Sequence, residues 1–247
     1  MDTLYTFIKN RFCAKFPNAD VDAAISEYDA LKSFPASGNC HVSDEVHYVM
    51  RLSTQYHLTK AFEAMKVDLE DPNIAEDLIN GNIGTPGRIA KVWCGAAPND
   101  DTELGGGRWS DMPRLATFPN DSGMHIPITK RVNLISNCSH HFIPFSTDFS
   151  ADSQVIVSYI PKAKLLGISK LQRLVNWVAH RFWLQEDLTR ELYRVISEAA
   201  ETEDVYIELK NIKHGCEFLR GAKSKDGSFS SLYYRGRFSD AKIRELI

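Results

Sequence analysis

Two short segments of this chain collect residues that could hold a metal ion: Cys138-Ser139-His140-His141 and His214-Gly215-Cys216. Zinc takes thiolate and imidazole ligands, and a catalytic zinc keeps three protein ligands with a fourth position open for water. Cys138 and His141 are three residues apart, a spacing that one tight turn can close around an ion. Cys216 would arrive from a distant strand as the third ligand. His140 and His214 would then stand beside the metal without binding it, where an imidazole is useful for moving protons. A Cys-x-x-His pair alone is often accidental, and buried cysteines commonly act as small apolar residues. The rest of the chain has to decide.

A second feature suits an anion. Ser169-Lys170-Leu171-Gln172 reads as a capping box, with serine at the cap and glutamine three residues on. Lys170 and Arg173 would then occupy the first helical turn, where the dipole is already positive. A bound phosphate would explain that placement, drawing on backbone donors, the Ser169 hydroxyl and both cations. Arg88 and Lys91, one turn apart on another helix, and Arg220 would add to such a site if they met the same ligand. Glu186 could accept two parallel hydrogen bonds from guanine's ring N–H and exocyclic amine, although a helical glutamate is usually a solvated charge.

The elements that must position these groups follow from periodicity and breakers. Residues 1–42 read as a short helical extension with a loop. Ser43-Asp44 predicts a helix to about Met65, with Val46, Val49, Met50, Leu52 and Leu58 on its apolar side. Thr85-Pro86 predicts another, capped by the threonine and running to about Trp93. Residues 95–121, with Gly105-Gly106-Gly107 at their centre, read as a long surface loop. Strands are expected over Ile126–Ile135 and Gln154–Ile160, where Pro161 ends the run. Helical periodicity covers Ser169 to about Ala200 in two stripes. A long strand is expected from Val205 to Arg220, returned by Phe229–Phe238. On an unbroken strand His214, Cys216 and Arg220 share one face. The order is that of an α+β protein.

Composition bounds the rest. The 247 residues are 43% hydrophobic, enough for a substantial core. Lysine and arginine number 29 against 32 acidic residues, a net charge of -3 that argues against a generally nucleic-acid-binding surface. No secretory signal or membrane-length apolar run is visible. Five cysteines at scattered positions do not form a disulfide framework. A soluble, reducing, cytoplasmic setting is expected.

Taken in order, the segments resemble GTP cyclohydrolase I. The resemblance runs through Val67-Asp68-Leu69-Glu70-Asp71, Thr85-Pro86-Gly87-Arg88-Ile89-Ala90-Lys91, Cys138-Ser139-His140-His141-Phe142 and Tyr159-Ile160-Pro161. It continues through Leu166-Gly167-Ile168-Ser169-Lys170, Arg173, Gln185-Glu186-Asp187-Leu188-Thr189, His214-Gly215-Cys216 and Arg220-Gly221. It implies a tunnelling fold (T-fold): an antiparallel sheet with helices packed on one face, over residues 67–247, preceded by a helical extension over 1–66. It implies a homodecamer with active sites between subunits, and zinc on Cys138, His141 and Cys216 activating water for attack on C8 of guanine. Formate leaves, the ribose rearranges, and ring closure gives 7,8-dihydroneopterin triphosphate. The resemblance gives proton transfers to His140 and His214, and guanine to Glu186 with Gln185 beside it. Ser169, Lys170, Arg173 and Arg220 hold the triphosphate, joined by Arg88 and Lys91 from a neighbouring subunit. No redox cofactor, nucleic acid or membrane is called for.

One residue departs from the pattern. The family's usual Cys-Glu-His-His has Ser139 in place of the glutamate, which leaves the three inferred ligands intact but removes a carboxylate beside His140. Two other readings therefore stand next to full activity. One is a variant that stops at a ring-opened intermediate or makes another product; the other is a catalytically silent zinc- and nucleotide-binding assembly protein.

Overall fold

The computed structural model describes residues 3–98, 103–219, 223, 224 and 226–247. The chain divides into two compact units, Met1–Asp111 and Met112–Ile247.

The first unit is helical. Helix α1 (Leu4–Lys15) is capped by Thr3, α2 (Val21–Ala30) by Asp20 and α3 (Asp44–Ala64) by Ser43, whose hydroxyl accepts from the Val46 amide as expected. Phe12, Ile8, Val21, Ala24, Val49 and Leu52 form the core of these three helices. Helix α4 (Gly84–Cys94) departs from expectation at its start: it begins one residue before Thr85 and has no side-chain cap. Thr85 instead donates its hydroxyl to the Asn73 carbonyl.

The glycine-rich segment is also not a surface loop at its centre. Gly105, Gly106 and Gly107 are buried, and a Cβ on Gly105 would lie 1.8 Å from the Trp93 carbonyl oxygen. The segment packs against the end of α4, and only glycine permits that approach. His47 is buried on α3, with Nε2 2.8 Å from the Cys94 carbonyl.

The second unit is the α+β part. Strands β1 (Thr117–Pro119) and β6 (Lys164–Leu166) make a separate antiparallel ribbon. The main sheet runs β2 (Ile128–Val132), β5 (Gln154–Tyr159), β8 (Val205–His214), β4 (Pro144–Ser146), β3 (Ile135–Cys138) and β7 (Phe182–Trp183), with β9 (Phe229–Tyr234) also paired to β8. Every pairing is antiparallel except β3 with β7. The strand expected over 126–135 is thus two strands, broken at Asn133–Leu134. The expected helical region is likewise two helices, α5 (Ile168–Ala179) and α6 (Gln185–Ala200), with β7 between them.

Strand alternation separates the two faces of this sheet. Val155, Val157, Val205, Ile207 and Leu209 pack with Leu174, Val178, Leu188 and Leu192 of α5 and α6. Ile156, Ile160 and Tyr206 face the other way, onto Phe238. Both long helices therefore cover one face, as a T-fold requires.

Strand β8 ends at His214, and Gly215–Leu219 form a short helix, α7. The expected strand to Arg220 is therefore too long; Arg220 itself lies outside the described residues. Within β8 the pairing with β9 slips between Leu209 and Ile212, and Asn211 takes a φ of 54°. Asparagine tolerates that left-handed backbone better than most residues. The extra residue changes the alternation, so Leu209 and Ile212, three apart, both belong to the helix-covered core. His214, two residues after Ile212, follows onto that side.

Two outcomes test these interiors. Leu192 is fully buried, and Leu192→Ala should cost about 2–5 kcal/mol in denaturant unfolding. Burial holds the His47 imidazole below its ordinary value of 6.5, against the raising effect of its bond to the Cys94 carbonyl. Its contribution to stability is complete above that pH and is lost as pH falls toward the depressed value. Urea midpoints should therefore drop as pH falls below 6.5, and drop less in His47→Gln.

Candidate active site

Cys138 closes β3 and is buried, paired in register with Trp183 of β7. The chain turns back at once. The His141 and Phe142 amides both donate to the Cys138 carbonyl, at 3.3 and 2.8 Å, and the Cys138 amide donates to the Ile143 carbonyl at 2.9 Å. Phe142 takes the left-handed conformation this turn needs, with φ 53°, and its ring lies 4.3 Å from that of Phe182. The Ser139 amide donates to the Trp183 carbonyl at 3.1 Å.

His214 comes from the end of β8, opposite Phe145 of β4. The two rings stack at 4.5 Å with an interplanar angle of 13°, and Phe145 is fully buried. Gly215 then lets the chain pass β4: a Cβ there would stand 2.7 Å from Ile143 Cγ2 and 3.0 Å from the Pro144 carbonyl. Cys216 is thereby delivered to Cys138. Ligand atoms of Cys138, His214 and Cys216 lie within 4.8 Å of one another. His141 is outside that group; its ring lies 6.0 Å from that of His140.

Gln185, the first residue of α6, is buried and fixes His214. Its amide nitrogen donates to the Phe229 carbonyl at 3.2 Å and to Ser231 Oγ at 3.0 Å. Its oxygen is then the group facing His214 Nε2, at 2.7 Å. An amide oxygen only accepts, so His214 carries its proton on Nε2 and keeps Nδ1 as its basic nitrogen. Thr189, one turn along α6, completes the brace by bonding Ser231 Oγ at 2.6 Å. The sequence reading missed Phe145, Ser231 and this role of Gln185. The spacing Gln185–Thr189 puts both on one helix face, but no periodicity identifies their partners on β9.

Burial sets the electrostatics. It lowers the His214 pKa from its ordinary value, while the carboxylates of Glu217 and Glu186 pull the other way. It raises the Cys216 thiol, and the neighbouring Cys138 raises it further. Two sulfurs this close resist ionising together, and a divalent cation removes that resistance by favouring both thiolates. Two thiols with an adjacent imidazole are a donor set of the kind zinc prefers. The residues present fit a metal.

A cavity of about 350 Å³ opens over this cluster, lined by Cys138, His140, Gln185, Glu186, His214 and Cys216 among others. Glu186 is exposed in the first turn of α6. Ser169, Lys170 and Arg173 do not line the cavity. They occupy the first turns of α5, which starts at Ile168 with Gly167 at its cap and no side-chain cap. The expected capping box is absent: Ser169 lies inside the helix and not at its cap, and Gln172 accepts from the Asn133 amide and donates to the Asn133 carbonyl and to Asn176. In the first unit, Arg88 bonds Asn82, Asn73 and Thr85, and Lys91 pairs with Glu103 at 3.1 Å.

Among the described residues, no helix is long and apolar enough to cross a membrane. The GTP cyclohydrolase I family profile matches residues 63–247. A protein named GTP cyclohydrolase 1 from Blochmanniella pennsylvanica (strain BPEN) is 27% identical over 201 residues, covering 81% of each chain. One of the same name from Flavobacterium johnsoniae is 28% identical over 213 residues, covering 84% of this chain and 89% of its own. Among solved structures, an archaeosine synthase QueF-Like in the apo form aligns over 44% of this chain and 93% of its own, at 18% identity and TM-score 0.33. The profile match spans the α+β unit and every described site residue, and with it the chain belongs to the GTP cyclohydrolase I family, hydrolases built on the tunnelling fold.

Proposed function

We propose that this chain is a zinc enzyme that converts GTP and water to 7,8-dihydroneopterin triphosphate and formate, the entry step of pterin, folate or 7-deazaguanine synthesis. The observation that carries the reading is the convergence of two thiols, two imidazoles and a helix-borne carboxylate on one cavity, in a chain of this family. Cys138, His141 and Cys216 would hold zinc. When bound, the metal supplies Lewis acidity and an activated water.

The chain's own groups account for the remaining requirements. Glu186 accepts from the ring N–H and exocyclic amine of guanine, a bidentate contact that selects this base. His140, exposed at the cavity, and His214, fixed by Gln185, donate and accept protons as the imidazole ring of the purine opens and formate departs. Gln185 acts through His214. Ser169, Lys170 and Arg173 on the first turns of α5 hold the triphosphate together with Arg220. Arg88 and Lys91 are contributed by another copy of the chain, in a homodecamer with its sites between subunits. Residues 67–247 form the catalytic part and 1–66 an extension. The setting is cytoplasmic. Ser139 leaves the turn intact, because its contact here is through the backbone amide.

The ligand cluster itself favours a second reading of the metal set, in which His214 replaces His141. Zinc content separates the two. The first reading predicts that His141→Ala loses zinc, whereas His214→Ala keeps it and loses about 10²–10⁴-fold in turnover. Zinc lost only in His214→Ala would establish the alternative.

Activity is tested with zinc-loaded protein and GTP, measuring formate and oxidised pterin together. Equal yields are expected. Formate without pterin would show an enzyme that stops at ring opening. Neither product, from protein with confirmed zinc, would leave a silent binding protein.

A further inference from the structure

The first unit contains a second cavity, of about 400 Å³, lined by Tyr28, Lys32, Phe34, Met50, Arg108 and Trp109 among others. Arg108 is its unusual member. Its guanidinium lies 4.5 Å from the ring of Phe34 and 5.0 Å from that of Trp109, and these rings meet edge to face at 5.5 Å. Among the described residues it makes no ion pair or side-chain hydrogen bond, and its Nε is buried without an acceptor. The indole N–H of Trp109 is in the same position, on a side chain only 4% exposed. Burial accordingly holds the Arg108 guanidinium below its ordinary pKa.

Unmet donors in a protein interior cost stability, and a half-buried cation without an anion costs more. Here they sit on a braced support. The Asn39 side chain donates to the carbonyls of Gly107 and Ser110, and the Cys40 amide donates to the Arg108 carbonyl at 2.8 Å. The buried glycines hold the preceding turn against Trp93. The support therefore keeps Arg108 and Trp109 in the cavity wall.

We propose that this cavity binds a small organic monocarboxylate with an aromatic body, separately from the nucleotide site. A carboxylate supplies two acceptors that match the two terminal nitrogens of the guanidinium, and Phe34, Met50 and Trp109 add apolar surface to the lining. The volume is within the range of small-ligand pockets. Asp29 and Lys32 at the exposed edge balance each other and disfavour a polyanion such as a triphosphate.

Ligand-observed saturation-transfer NMR on the full-length protein tests this with benzoate and its neutral isostere benzamide. Benzoate should show transfer that persists under saturating 7-deaza-GTP, a GTP analogue that lacks the C8–N7 bond opened in the reaction, and benzamide should bind at least tenfold more weakly. Arg108→Gln should weaken benzoate by a similar factor while GTP turnover is retained. That comparison of two ligands needs no variant, so it stands even if Arg108→Gln does not fold. Equal binding of the two compounds, loss of benzoate on adding the GTP analogue, unchanged benzoate binding in a folded Arg108→Gln, or no transfer at all would each overturn the proposal.

Discussion

A single extra residue in β8 governs where the chemistry is placed. Up to Leu209, odd-numbered residues of this strand face α5 and α6. Had the alternation continued, His214 would have faced the opposite side, toward the layer that holds Tyr206 and Phe238. The slip at Asn211 exchanges the faces, puts Ile212 into the helix-covered core and brings His214 to the first residue of α6. The stacking on Phe145, the amide brace of Gln185 and the meeting of Cys216 with Cys138 all depend on His214 and Cys216 arriving on that side.

The second constraint is the close approach that follows. Gly215 lets the backbone pass Ile143 and Pro144, and the two sulfurs that result are neighbours in a partly buried place. Burial, and then the neighbouring Cys138, oppose ionisation of the Cys216 thiol. A divalent cation would satisfy both groups at once.

Much of this was legible in the sequence because the signals are local. Ser43 capping α3, the two stripes that became α5 and α6, and the strands around Ile156 and Ile207 follow from caps and periodicity within a few residues. The ordered motifs also carried the family. What failed depended on distant partners. Gln172 looked like half of a capping box, yet it is held by Asn133. Gly105–Gly107 looked like loop punctuation, yet they are buried because α4 presses on them. The end of β8 looked like an unbroken strand because nothing in a single sequence marks a bulge until the partner strand is known. At the site, the residue types were readable, whereas the His214–Gln185–Ser231 brace, assembled from β8, α6 and β9, was not.

The central claim is that the turned end of β8 completes a metal centre with the end of β3. Zinc-edge X-ray absorption on the zinc-loaded protein reads that centre directly. The account predicts a first shell with two sulfur scatterers at about 2.3 Å and lighter nitrogen or oxygen scatterers at about 2.0–2.1 Å. A shell of nitrogen and oxygen alone would mean that Cys138 and Cys216 do not meet at the metal, and would contradict it.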